Sequence, residues 1–199
     1  MLEWNYMSLL QGHGVPKIHC LVRRSDKEYN FLVMEKLDQE NLEDKFQKSN
    51  RDFSLNKIIM LADKMIENIE IIHEKGILHN DLQPNNLTMG IDAKNSSQLY
   101  IIDFGMCQPW READGSHIEY RGIYPLVFFF DQFMFSLFFY LSSFHIDGLA
   151  NPGNPIFASI RAQEGKERSR RDDIESIAYI LMYFASGGNL TWNEEASTK

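Results

Sequence analysis

The chain has 199 residues, of which 44% are hydrophobic and 24% charged, the balance of a globular protein able to bury one domain's core. Its 20 Lys and Arg against 28 Asp and Glu leave a net charge of −8, which argues against bulk nucleic-acid binding. Cys20 and Cys107 stand far apart in no metal or redox spacing, so reduced thiols are expected, and the start MLEWNYMSLL lacks the basic residues of a signal peptide.

In chain order, Glu3 to Leu10 reads as the end of a helix, stopped by Gln11-Gly12-His13-Gly14. Two strand-like runs follow, Ile18 to Val22 and Tyr29 to Glu35, with Arg23 to Glu28 as a hairpin-like connection. Asn41 to Gln47 makes a short amphipathic helix. The clearest element spans Leu55 to Glu74, with Ser54 as N-cap and Gly76 just past its end. Leu55, Ile58, Ile59, Ala62, Met65, Ile66, Ile69 and Ile72 recur there at helical spacing, which predicts one buried stripe. Leu87 to Met89 and Leu99 to Ile102 read as short strands around the polar stretch IDAKNSSQ. Asp172 to Phe184 is a helix apolar nearly all round, a pattern expected in the middle of a domain. Three Asn-x-Ser/Thr triplets, at Asn86, Asn95 and Asn189, are expected to be chance matches without a secretory signal.

One segment breaks the pattern. Tyr124 to Ile146, YPLVFFFDQFMFSLFFYLSSFHI, is crowded with phenylalanine, carries one charge, and approaches the roughly 20 residues a membrane-spanning helix needs. Three readings stand side by side: a gene-prediction artefact such as a translated intron, a partner-binding or membrane-associating loop, and a true span.

The chemistry-bearing residues are His79, Asp81, Asn86 and Asp103. In ILHNDLQPNNLT, Asp81 follows the long helix and Asn86 opens a strand; in LYIIDFG, Asp103 ends the next strand. If the two strands pair as a hairpin, both acids and the amide converge at one end. That makes a hard oxygen site suited to Mg²⁺ and phosphate chemistry. Solvated Asp and Asn in hairpin turns are the alternative reading.

The ordered pair of motifs, 22 residues apart, resembles the protein-kinase catalytic loop H-R-D-x-x-x-x-N and the D-F-G that follows it. The wording is similar to the casein kinase I family, with its vaccinia-related and tau-tubulin relatives. FSLNKIIMLADKMIENIEIIHEKG, LEDKF, LTMG, YIIDFG and SRRDDIESIAYILMYF carry the likeness, and FASI resembles that family's Y-A-S-I. The resemblance implies an α+β, protein-kinase-like fold over 1–199. Residues 1–37 would be the remnant of an N-lobe and hinge, and 38–199 a helical C-lobe up to its central helix, with an atypical insert at about 123–153.

It also implies roles. Asp81 would orient the substrate hydroxyl and accept its proton; Asn86 and Asp103 would hold Mg²⁺ against ATP. Met34 would be the gatekeeper, and Glu35, Lys36 and Leu37 the hinge whose backbone meets adenine. Glu3 aligns with the helix glutamate that pairs with the ATP-contacting lysine, while His79 and Asp173 would support the loop. The expected activity is ATP-dependent phosphorylation of protein Ser/Thr by a cytoplasmic or nuclear monomer with no nucleic-acid partner. The pattern also departs from the family. No glycine-rich loop or strand lysine precedes Glu3, Asn80 replaces the loop arginine, and Gln83 replaces a lysine that neutralises the transferred phosphoryl group. A catalytically inactive, pseudokinase-like binding module or a truncated gene product is therefore the competing expectation.

Overall fold

A computed structural model of the chain describes residues 2–12, 14–23, 30–92, 95–112, 114–119 and 153–192. The Phe-rich stretch and most of the expected hairpin connection lie outside the described residues.

The first helix, α1 (Leu2–Leu9), buries Met7, with Leu10 buried just past its end. Strands β1 (Ile18–Arg23) and β2 (Asn30–Met34) pair antiparallel with Leu21 opposite Leu32, as the two apolar runs lead one to expect. A strand the sequence did not announce comes next, β3 (Leu37–Asn41), whose Leu-Asp-Gln-Glu-Asn has little strand propensity. It forms because β5 (Leu87–Gly90) lies alongside it, pairing Leu37 with Gly90 and Asn41 with Thr88. The Thr88 hydroxyl adds bonds to the carbonyls of Asp38 and Glu40 at 3.1 and 3.2 Å. β6 (Leu99–Ile101) completes the sheet in the order β3-β5-β6, with Thr88 opposite Tyr100. A second unannounced pair, β4 (Ile77–Leu78) and β7 (Gln108–Pro109), brackets this region.

The helices follow their caps. Asn41 and Asp44 form a reciprocal capping box on α2 (Leu42–Lys48). The Ser54 hydroxyl accepts from Lys57 N at the start of α3 (Leu55–Glu74). Gly76, at φ +81°, lies just past its end. The buried stripe of α3 is narrower than its apolar pattern suggested. Ile58, Leu61, Met65, Ile69 and Ile72 are inside, whereas Leu55, Ile59 and Ile66 are about half or more exposed. At 3.6 residues per turn the first set stays on one line and the second runs along its flank.

Two helices close the described chain, α4 (Ile160–Gln163) and α5 (Arg170–Ala185). The expectation that α5 is buried all round does not hold: Ile174 and Met182 are 45% and 50% exposed, and its inner side is Ile177, Ile180, Tyr183 and Phe184. Phe46, Phe53, Tyr183 and Phe184 form one aromatic cluster, with Phe46 5.0–5.2 Å from each of the others. This cluster locks α2 to α5. Near α1, Gly14 at φ +67° is required by close approach, since a Cβ there would lie 2.1 Å from Asn68 Oδ1. Its carbonyl accepts from Ile101 N at 2.8 Å, and Asn68 Nδ2 donates to Leu99 O at 2.9 Å, so the loop after α1 is stitched to α3 and β6.

Among the described residues no helix is long and apolar enough to cross a membrane. Replacing Phe46 by Ala should cost about 3–5 kcal/mol of unfolding free energy, because it empties the centre of the aromatic cluster. Urea denaturation followed by circular dichroism checks the value.

Candidate active site

The loop between β4 and β5 is held by an acid from a distant helix. Asp173, 2% exposed, lies on the first turn of α5. Its Oδ2 accepts from His79 N at 3.0 Å and its Oδ1 from Asn80 N at 2.8 Å. The ring of His73, at the end of α3, meets Oδ2 at 2.8 Å. Capping of α5 falls instead to Asp172, whose Oδ2 accepts from Ser169 N at 2.7 Å and whose Oδ1 accepts from the Ser159 hydroxyl at 2.6 Å. Two neighbouring acids thus divide two tasks: one closes the helix, the other holds the loop.

The loop's own side chains continue the network. His79 is fully buried; its Nδ1 accepts from Asp81 N at 3.3 Å and its ring packs edge-on against buried Phe104, centroids 5.1 Å apart. Burial pushes the His79 pKa below the usual imidazole value, outweighing the opposing pull of Asp173 and Asp81. The ring is therefore neutral near pH 7 and acts as a spacer. Asn80 takes a left-handed φ of +67°, a conformation Asn tolerates better than most residues, and donates to Met106 O at 3.0 Å.

Asp81 sits in a cradle of neutral donors. Its Oδ2 accepts from Gln83 Nε2 and Asn86 Nδ2, each at 3.0 Å, and its Oδ1 from Asn154 N at 3.2 Å. Asn154 Nδ2 also donates to Gln83 Oε1 at 2.8 Å, closing a ring of three residues through the Asn154 backbone. Asn154 was not anticipated. Its signal was its place, three residues ahead of Phe157-Ala158-Ser159-Ile160 and across the Phe-rich stretch from Asp81.

Asn86, at the end of a short 3₁₀ turn (Pro84–Asn86), points both Nδ2 bonds at Asp81, which turns its Oδ1 the other way. The β5-β6 register and the bond from Ile102 N to Asn86 O bring the next residue, Asp103, to the same end of the hairpin. Asp103 is exposed and has a left-handed φ of +64°, its Oδ1 accepting from Gly105 N at 3.2 Å. Asn80 and Asp103 are two of four non-glycine residues at positive φ among those described, and both belong to this site. One exposed carboxylate and one amide oxygen fit Mg²⁺, which keeps several waters and shares phosphate oxygens, better than an all-protein cage. Among the described residues no group of three or more His, Cys, Asp or Glu is arranged for a metal.

The remaining candidates lie around this centre. Met34 is 36% exposed at the end of β2, and Glu35 and Lys36 link β2 to β3. Glu35 N donates to Lys17 O at 2.7 Å, and its carboxylate accepts from Lys17 N and Asn95 Nδ2 at 3.1 and 3.2 Å. Leu37 joins the site's sheet opposite Gly90. Glu3 lies on α1 close enough to raise the Cys107 thiol pKa, although burial is the larger cause of that shift. The engaged amides of Asn86 and Asn95 make both poor glycan acceptors. Behind the loop, Trp110 Nε1 donates to His73 O at 2.8 Å, and the Arg170 guanidinium stacks 4.0 Å from its ring centroid. The Arg168 guanidinium donates to Asn80 O.

A sequence-family model for the protein kinase domain matches residues 1–121. The chain belongs to the protein kinase domain family. The match covers His79 to Asn86 and Asp103 to Gly105, so the two motifs belong to a kinase domain by family as well as by spacing. The mixed helix and strand content fits the α+β fold of that family. Kinases transfer a phosphoryl group to proteins, generally using ATP and a divalent metal. Asn154, Arg168 and Asp173 fall outside the match; the first two were placed at the site by the fold, and Asp173 bonds the loop backbone as the resemblance implied.

Asp173→Ala should cost about 3 kcal/mol or more, because it strands a buried and a half-buried backbone donor that now meet a charged acceptor. Urea unfolding measures the loss, and faster amide exchange at Asn80 should localise it. Because His79 has a depressed pKa when folded, the unfolded chain binds a proton first as pH falls. Stability should therefore fall with pH from about 6.5 downward, and urea midpoints of the His79→Gln variant should show a shallower slope.

Proposed function

We propose that the chain is a serine/threonine protein kinase domain of casein kinase I type, transferring the γ-phosphoryl group of ATP to protein hydroxyls. The observation that carries the reading is the joint placement of Asp81, Asn86 and Asp103 at one end of the β5-β6 hairpin. The family-specific wording of α3, the FASI stretch and SRRDDIESIAYILMYF supports the subfamily.

In this reading the substrate hydroxyl approaches Asp81, which takes its proton as the hydroxyl oxygen bonds to phosphorus and the bond to the ADP oxygen breaks. Asp81 Oδ1 accepts from Asn154 N at 3.2 Å, so a residue of the segment beyond the Phe-rich stretch helps to aim the carboxylate. Bound Mg²⁺, held by Asn86 and Asp103, would offset negative charge on the phosphates. Met34 to Leu37 would line the adenine, and residues 38–199 would make the larger lobe. The cytoplasm or nucleus is the proposed location.

A second reading, a binding module that turns over slowly or not at all, has one observation of its own. Gln83 reaches Asp81 as a neutral amide where a cation would stabilise the transferring phosphoryl group. The two readings part in one assay. The purified chain is given Mg-ATP and casein, with Asp103→Ala as control. A kinase should lose all measurable transfer on Asp103→Ala and gain about 10²-fold on Gln83→Lys. Transfer equal to the Asp103→Ala background in both proteins, with thermal stabilisation by Mg-ATP retained, would leave the binding module.

A further inference from the structure

We propose that Arg168 is a positioning residue for the catalytic loop, bringing from the segment ahead of α5 a positive charge that Asn80 and Gln83 no longer supply within the loop. The inference rests on reading 79–86 as a phosphotransfer loop.

The geometry is two-sided. Asp173 takes the N–H groups of His79 and Asn80, while Arg168, five residues earlier, gives a hydrogen bond to the carbonyl of Asn80. Asn80 is the residue at φ +67°, and its carbonyl belongs to the peptide unit that leads into Asp81. Fixing both faces of that residue sets the direction in which the Asp81 carboxylate leaves the backbone. Neither contact is local in sequence, since 88 residues separate Arg168 from Asn80.

The charge pattern points the same way. Asp172 and Asp173, on the first turn of α5, adjoin the loop that carries Asp81, and Gln83, Asn86 and the Asn154 backbone donate to Asp81 as neutral groups. Gathering carboxylates away from water without a cation is costly. Burial lowers the pKa of the Arg168 guanidinium, and the charges of nearby Asp173, Asp81 and Asp172 oppose that fall. Arginine keeps its proton under such conditions, so the site holds a fixed positive charge. Nearby Arg170 is stacked on Trp110, and Arg171 is 61% exposed and 4.0 Å from Asp172.

The test uses the full chain and the variants Arg168→Met, Arg168→Lys, Gln83→Lys and the Met/Lys double variant. Amide hydrogen exchange is read at Asn80, Asp81 and Leu82 and, as an internal control, at Met65 and Ile69 inside α3. Arg168→Met should speed exchange in the loop about tenfold and leave α3 unchanged, whereas Arg168→Lys should keep most of the protection. Unchanged loop exchange, or equal acceleration in α3, overturns the proposal. Where transfer is measurable, Arg168→Met should lower kcat about tenfold with the KM for ATP within about twofold. That loss should shrink below about threefold when Gln83→Lys restores a cation on the other side of Asp81. An equal loss in both backgrounds overturns the proposal too. A wild-type chain that transfers no phosphate would sink the kinase reading alone, and the exchange measurement would still decide the role of Arg168.

Discussion

A single buried carboxylate organises the loop on which the chemistry depends. Asp173 has left water almost completely, and a charge in that position persists only when donors replace the lost hydration. It finds them in two consecutive backbone amides of the loop and an imidazole at the end of α3. Hydrogen bonds to an ionised acceptor are stronger than neutral ones, so the loop's unusual backbone is held by something that can bear the strain. The left-handed turn at Asn80 is therefore a consequence of where α5 begins. Anything that moves α5 against α3 moves the loop as well.

Beyond that anchor, the site trades charge for amides. Gln83, Asn86 and Asn154 give Asp81 donors that orient it and are themselves neutral. Orientation and charge stabilisation are separable contributions to phosphoryl transfer, the first setting geometry and the second lowering the barrier. This chain keeps the first intact within its loop. For the second it can draw on the guanidinium of Arg168, which comes from the segment ahead of α5 and donates to Asn80 O.

What the sequence disclosed divides along the same line of local against distant. The helix at 55–74 was legible to the residue because its cap, its period and its terminal glycine are written within the helix itself. The two motifs were legible because their chemistry is compressed into short runs. β3 was not, since Leu37 to Asn41 becomes a strand only when Thr88 is beside it. Nor were the β4-β7 pair, Asn154 or Arg168, each of which acquires its role from a partner between about 30 and 90 residues away. The outer faces of α3 and α5 were misjudged for a related reason. Apolar residues at helical spacing state that a helix is amphipathic, and the width of its buried face is set by what packs against it.

Trp110 gives this arrangement an optical handle. Its indole N–H is committed to the carbonyl of His73, whose ring in turn meets Asp173, and its face is covered by Arg170 from the same helix turn as that acid. A cation stacked on an indole and a hydrogen bond at its nitrogen both bear on the excited state. The other tryptophans among the described residues, Trp4 and Trp192, lie elsewhere: Trp192 stacks with Tyr179 and donates to Ile156 O. Emission from Trp110 thus reports whether α3, α5 and the loop are docked together, so the chain carries its own fluorophore at the junction that positions the site.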